Sequence, residues 1–176
     1  MDEIVEAALR KWPNVPHCHG WLALDARGEW YMRDERIQHA GPFPQVKGSA
    51  VRHEKLLGFI QRNYALDEQG AAFFQNGPQR VYVEVEAAPW VWRIEGRPGA
   101  WQVTAHTGRA AQPRAAWLDE QGRLFLECDI GFGIVHTMDM LHAAQAVECG
   151  DWQPQEMPFA QMPGRFGYVL KPQPQG

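Results

Sequence analysis

The stretch Leu24-Asp25-Ala26-Arg27-Gly28 returns twice along the chain, as Leu66-Asp67-Glu68-Gln69-Gly70 and as Leu118-Asp119-Glu120-Gln121-Gly122. In each copy the Asp can open a tight turn by accepting from its own backbone, and the Gly closes it where a positive φ is expected. Strand-like residues follow each time: Glu29-Trp30-Tyr31-Met32, Ala71-Ala72-Phe73-Phe74 and Arg123-Leu124-Phe125-Leu126. The reading is an α+β fold whose mainly antiparallel, twisted sheet of about seven to nine strands is built from repeated β-hairpins and packed by two or three helices. The repetition suggests one domain over residues 1–152 with internal pseudo-symmetry, and a Pro/Gln-rich irregular tail over 153–176.

Helices are expected at three places. Residues 2–12 carry Asp2, Glu3 and Glu6 early and Arg10 and Lys11 late, stop at Pro13, and put Val5, Ala8, Leu9 and Trp12 on one face. Ser49 is the expected N-cap of the main helix, which runs to Tyr64 and buries Leu56, Leu57, Ile60 and Tyr64. A short helix over 138–147 is expected after Thr137. Beyond Asp67 the period changes to two, most plainly where Val81, Val83 and Val85 alternate with Tyr82, Glu84 and Glu86.

A chain of 176 residues with 45% hydrophobic content can bury a sizeable core. Its formal charge of −4 and lack of a basic block argue against a nucleic-acid partner. The acidic, amphipathic start is unlike an export signal, and no apolar run approaches the ~18 residues that span a bilayer, so no membrane role is expected. Three cysteines, Cys18, Cys128 and Cys149, without a Cys-x-x-Cys spacing, point to reduced thiols and a cytoplasmic location. The 13 arginines against 4 lysines, with plentiful Ala, Pro and Gly, suit a GC-rich bacterial genome.

The run Asp25-x-x-Gly28-x-Trp30-Tyr31, then Ile37, Leu57-Gly58-Phe59-Ile60, Asp67-x-x-Gly70 and Val81-x-Val83-Glu84-x-x-x-x-Pro89-Trp90 resembles a bacterial family of unknown function, DUF1285 or a sibling of it. The resemblance spans residues 20–95 and rests on turn, aromatic and proline spacing. It implies a small α+β protein and brings no active site with it. The loop at Gly41–Gly48 is longer than that pattern, and Trp90-Val91-Trp92 is bulkier.

Three constellations have chemical potential. His17 and His19 share one face of an extended segment, and with His136 or His142 they supply ligand types for a zinc-type site; the alternative is hydrogen-bonded or exposed histidines. Glu84 and Glu86, or Glu127 and Asp129, with Arg93 and His106 near them, make a general acid–base set if enclosed and a solvated sheet face if not. Trp90 and Trp92 lie on one side of a strand with Trp101 after a turn, lining either a pocket for a planar or apolar ligand or the core.

Other motifs fall away. Gly131-Phe132-Gly133 lacks the third glycine of a dinucleotide fingerprint and reads as a kink or bulge in a strand. Ser49, the only serine, has no Gly-x-Ser-x-Gly setting, and Cys128 is in the apolar phase of its strand. No cofactor is expected. The expected function is a binding or accessory module in which Trp90, Trp92 and Trp101 contact a small ligand or a partner protein and Arg93 or His106 fixes its polar end. The alternative is a metal-dependent hydrolase using His17, His19 and His136 or His142, with Glu127 or Asp129 as base. Whether the chain is an enzyme stays open, as does its oligomeric state.

Overall fold

In a computed structural model describing residues 1–174, all three Asp–Gly stretches form the same turn. Asp25 Oδ1 accepts the Glu29 amide at 2.9 Å, Asp67 Oδ1 accepts the Gln69 and Ala71 amides at 2.9 Å, and Asp119 Oδ1 accepts those of Gln121 and Arg123 at 3.0 and 2.8 Å. Gly28, Gly70 and Gly122 close the turns at φ of 79°, 78° and 74°, where a Cβ is strained.

The chain divides into two units. The first comprises Met1–Asp25, Glu29–Glu86 and the described residues from Tyr168; the second comprises Ala26–Gly28 and Ala87–Gly167. The first unit contains α1 (Glu3–Lys11), β1 (Cys18–Leu24), β2 (Trp30–Met32), α2 (Glu35–Ala40), β3 (Ser49–Ala50), α3 (Glu54–Arg62), β4 (Tyr64–Leu66), β5 (Ala72–Asn76) and β6 (Gln79–Val85). Its sheet has the order β3-β2-β1-β6-β5-β4. Two antiparallel meanders, β1-β2-β3 and β4-β5-β6, join where β6 runs parallel to β1. Leu22, Leu24, Trp30, Phe73, Phe74, Val83 and Val85 are buried, as a sheet covered by helices requires.

The main helix is shorter than residues 49–64. Ser49 and Ala50 pair with Met32 and Tyr31 as a strand, so Ser49 is no cap; His53 Nδ1 accepts the Leu56 amide at 3.4 Å instead. Ile60 is buried, Leu57 half-buried and Leu56 exposed, while Tyr64 opens β4. Trp12 is likewise exposed, leaving Val5 as the buried anchor of α1. Asp2 ties α1 to the end of α3: its carboxylate pairs with Arg62 at 3.1 Å and its amide donates to Asn63 Oδ1 at 2.8 Å. Helix α2 has its signal in Asp34, whose Oδ1 accepts the Ile37 amide at 2.9 Å.

The second unit contains β7 (Trp90–Arg97), β8 (Ala100–Ala105), β9 (Ala110–Ala111), β10 (Pro113–Leu118), β11 (Leu124–Cys128), β12 (Gly131–Val135), a 3₁₀ turn at Thr137–Asp139, α4 (Met140–Glu148), β13 (Gln155–Glu156), a second 3₁₀ turn at Phe159–Gln161 and α5 (Met162–Phe166). Its sheet order is β13-β10-β11-β12-β7-β8-β9. The meanders β7-β8-β9 and β10-β11-β12 again join in parallel, β12 beside β7. Both units thus have one connectivity, and the identical pentapeptides Leu66–Gly70 and Leu118–Gly122 occupy equivalent hairpins, β4–β5 and β10–β11.

The class is α+β with mostly antiparallel pairing, distributed over two mixed sheets of six and seven strands instead of a single sheet. The stretch expected to be irregular carries β13, which pairs in parallel with β10, and α5; Val169 bridges to Ala71 and the Leu170 carbonyl accepts the Val85 amide at 2.9 Å. Gly131-Phe132-Gly133 pairs in unbroken register with β11 and is no bulge. Its glycines exist because Trp90 and Trp92 cross them: a Cβ on Gly131 would meet the Trp90 indole nitrogen at 2.6 Å, and one on Gly133 that of Trp92 at 2.5 Å.

Candidate ligand-binding groove

In the second unit the period-2 pattern sorts side chains onto two faces. Trp117, Phe125 and Phe132 face the chain's last helical turns, where Phe166 stacks on Phe132 at a centroid separation of 3.9 Å and meets Trp117 edge-on at 5.3 Å. On the opposite face Trp92, Ile94, Trp101, Val103, Ala116 and Leu126 share one phase through the pairs Gly96↔Trp101, Ile94↔Val103 and Ala116↔Leu126. Trp90, Trp92 and Trp101 therefore do share a face. Their fates differ: Trp90 and Trp92 stack at 6.1 Å and are 4% and 0% exposed, whereas Trp101 is half-buried. Trp92 Nε1 is satisfied by the Leu126 carbonyl at 3.0 Å, so this indole belongs to the core.

Trp101 is the member that reaches a groove of about 520 Å³. Ala116 and Leu126 floor it with short or apolar side chains, Trp101 and Trp152 wall it, and Arg114, Asp151 and Gln153 supply polar groups. The second indole arrives through the end of α4. Gly150, at φ 79°, turns the chain left-handed there, its amide bonding the Val147 carbonyl at 3.0 Å, and the Trp152 amide bonds the Ala146 carbonyl at 3.1 Å. The two indoles are then 6.4 Å apart and inclined by 47°. Asp151, between the helix end and Trp152, accepts the Trp101 Nε1–H and the Gly99 amide on one oxygen, both at 2.8 Å. His142 supports the same wall, donating from Nδ1 to the Ile94 carbonyl at 2.9 Å with its ring 5.9 Å from that of Trp101.

The other residues singled out in the sequence are placed elsewhere. Arg93 is held by Asp139, Nε to Oδ2 at 2.6 Å and Nη2 to Oδ1 at 3.1 Å, while Asp139 Oδ2 also takes the Ile94 amide at 3.0 Å. Burial pushes the Asp139 carboxyl up, and the Arg93 and Ile94 hydrogen bonds outweigh it, leaving the group below its ordinary range. His106 accepts the Val91 amide on Nδ1 at 3.2 Å, its Nε2 is buried, and burial drives its pKa down to about 3. Burial thus favours its neutral form. His136 caps the first 3₁₀ turn, accepting the Met138 amide at 3.0 Å. Burial raises the Cys128 thiol to about 12, as its strand phase implied.

His17 and His19 are in the first unit beside Tyr82: His19 stacks on the phenol ring at 4.6 Å and His17 meets it edge-on at 5.7 Å. Among the described residues no three His, Cys, Asp or Glu side chains are grouped so as to hold a metal ion. Glu84 is buried, Glu127 half-buried, and exposed Asp129 accepts the Gln112 amide at 2.8 Å. Trp152, Arg114 and Asp151 escaped the sequence reading because their strand and turn neighbours in space are distant in sequence. The only local signal was the Glu148-Cys149-Gly150 helix end, which fixes where Trp152 emerges.

Two comparisons with known proteins give a similarity. A family described as "Protein of unknown function (DUF2946)" matches residues 1–173. A solved DUF1285 family protein from Silicibacter pomeroyi DSS-3 is similar at 13% identity and a TM-score of 0.49, over 81% of this chain and 83% of that one. No curated protein matches. Among the described residues no helix is long and apolar enough to cross a membrane.

Proposed function

The chain belongs to the family described as Protein of unknown function (DUF2946), and we propose that it acts as a binding module whose Trp101–Trp152 groove holds a small, planar, largely apolar ligand. The observation that carries this reading is a pair of indoles framing about 520 Å³ over a floor that contains Ala116 and Leu126. Small floor residues leave room above the sheet, and aromatic walls offer broad apolar contact at little entropic cost. Asp151 fills the hydrogen-bonding capacity of the Trp101 N–H, so the indole presents its face and not its donor. Among the described residues Arg114 is the one cationic group of the lining and is exposed, while the Asp151 carboxylate there is engaged by the Trp101 and Gly99 N–H groups, which leaves Arg114 to meet an anionic end of a ligand. Arg93 and His106, expected in that role, are committed to Asp139 and to the Val91 amide. The zinc-hydrolase reading has no grouping of ligand side chains to favour it among the described residues.

The test is a fluorescence titration with naphthalene-1-carboxylate, a planar apolar body carrying one carboxylate. Saturable quenching is expected, weakened about tenfold or more in Trp101→Ala and in Trp152→Ala and about threefold to tenfold in Arg114→Ala. Unchanged titrations in both tryptophan variants would overturn the reading.

A further inference from the structure

A second, open cavity of about 310 Å³ is lined by residues of the first unit, and its charged groups have no role in the groove described above. Glu84 projects from β6 into its lining and is 6% exposed. Among the described residues no hydrogen bond reaches the Glu84 carboxylate, and its charge partner is the Lys171 amine, 3.9 Å away and beyond direct hydrogen-bonding distance. Its oxygens are open to the cavity although the residue as a whole is buried, so their acceptor capacity is directed at whatever donor enters that space. Gln38 lines the same cavity; its Nε2 donates to the Arg33 carbonyl at 2.8 Å, leaving Oε1 as a second acceptor.

The remaining charge is positive. Lys171 is half-exposed at the cavity, and the buried Arg33 guanidinium lines it while bonding the backbone carbonyls of Gly41, Val46 and Lys47. Arg33 has no carboxylate partner among the described residues. One small space is therefore bounded by two acceptors on Glu84 and Gln38 and by two cations on Lys171 and Arg33. A metal ion would leave the cations unanswered, and a simple anion would leave Glu84 unanswered. We propose that this cavity binds a small zwitterion of the α-amino-acid class, its ammonium directed to Glu84 and Gln38 Oε1 and its carboxylate to Lys171.

Isothermal titration of the full chain with L-alanine tests this, with propionate and ethylammonium as probes that each carry one of the two charges. L-Alanine should bind saturably below about 20 mM and about tenfold or more tighter than either single-charge probe. Glu84→Gln, which keeps the side-chain shape, and Lys171→Met, on an exposed residue, should each weaken L-alanine about tenfold, while Trp101→Ala in the other unit should leave it unchanged. The absence of a saturable L-alanine response, equal binding of propionate, or indifference to both Glu84→Gln and Lys171→Met would each overturn the proposal. Should the direct Glu84–Lys171 pair be the whole function of these residues, both variants would lower thermal stability with no L-alanine signal in the wild type.

Discussion

The Trp101 indole N–H donates to Asp151 at 2.8 Å, and the oxygen that receives it also takes the Gly99 amide at 2.8 Å. One carboxylate thus fixes the tip of the β7–β8 hairpin, the plane of the first groove wall, and the segment from which Trp152 rises. Asp151→Ala is predicted to weaken naphthalene-1-carboxylate binding about threefold to tenfold while costing only about 1 kcal/mol of stability, since the bonds are solvent-exposed. Ligand titration and urea denaturation on the same variant check both parts.

Gly133 is predicted to be far less replaceable than its strand position suggests. A methyl there would lie 2.5 Å from Trp92 Nε1 and 2.6 Å from the Trp90 carbonyl oxygen, so both an indole in the core and a strand backbone would have to move. Gly133→Ala should cost about 3 kcal/mol or more, against about 1 kcal/mol for Gly122→Ala, where a Cβ meets nothing within 4 Å and the penalty is the φ of 74° alone. Chemical denaturation of the two variants decides it; equal costs would contradict the packing explanation.

His106 should make the protein acid-sensitive. Its folded pKa of about 3 is below the ordinary 6.5, so the unfolded chain binds a proton that the folded one refuses. Its stabilising contribution is complete above about pH 6.5 and is lost as the pH falls from there towards 3, at up to about 1.4 kcal/mol per pH unit. His106→Gln, neutral throughout, should flatten the decline in urea midpoint between about pH 6.5 and 4.5. An unchanged slope would show that the imidazole is not buried in its neutral form.

The repeated turns were written plainly in the sequence because an Asp acceptor and a positive-φ Gly act over five residues. They differ in strength in a way that sequence does not display. Asp119 adds a 2.6 Å ion pair with Arg123 from a fully buried side chain, whereas Asp67 spends its second oxygen on the Tyr82 hydroxyl at 3.0 Å. Asp119→Ala is therefore predicted to cost about 2–3 kcal/mol and Asp67→Ala about 1–2 kcal/mol, measured as denaturation midpoints.

The α+β class, the alternation of Val81, Val83 and Val85 and the shared face of Trp90, Trp92 and Trp101 were legible for the same reason: each depends on period two within a single strand or hairpin. The division into two sheets was not, because β1–β6 and β7–β12 are parallel pairs between strands separated by long stretches of chain. Ser49 lost its expected capping role to pairing with β2, a non-local competitor. The groove was half legible. Trp101 was visible, but Trp152 joins it only through the fold-back after α4, and Arg93 was drawn away by an Asp139 that is distant in sequence.

The most direct measurement of the central claim uses the indole N–H signals of the eight tryptophans in a ¹H–¹⁵N correlation spectrum recorded through a naphthalene-1-carboxylate titration. The Trp101 and Trp152 signals, assigned by their loss in the alanine variants, should shift saturably and together, while those of the buried Trp90 and Trp92 stay in place. Saturable shifts confined to tryptophans other than Trp101 and Trp152, or no shift in either at saturating probe, would contradict the account.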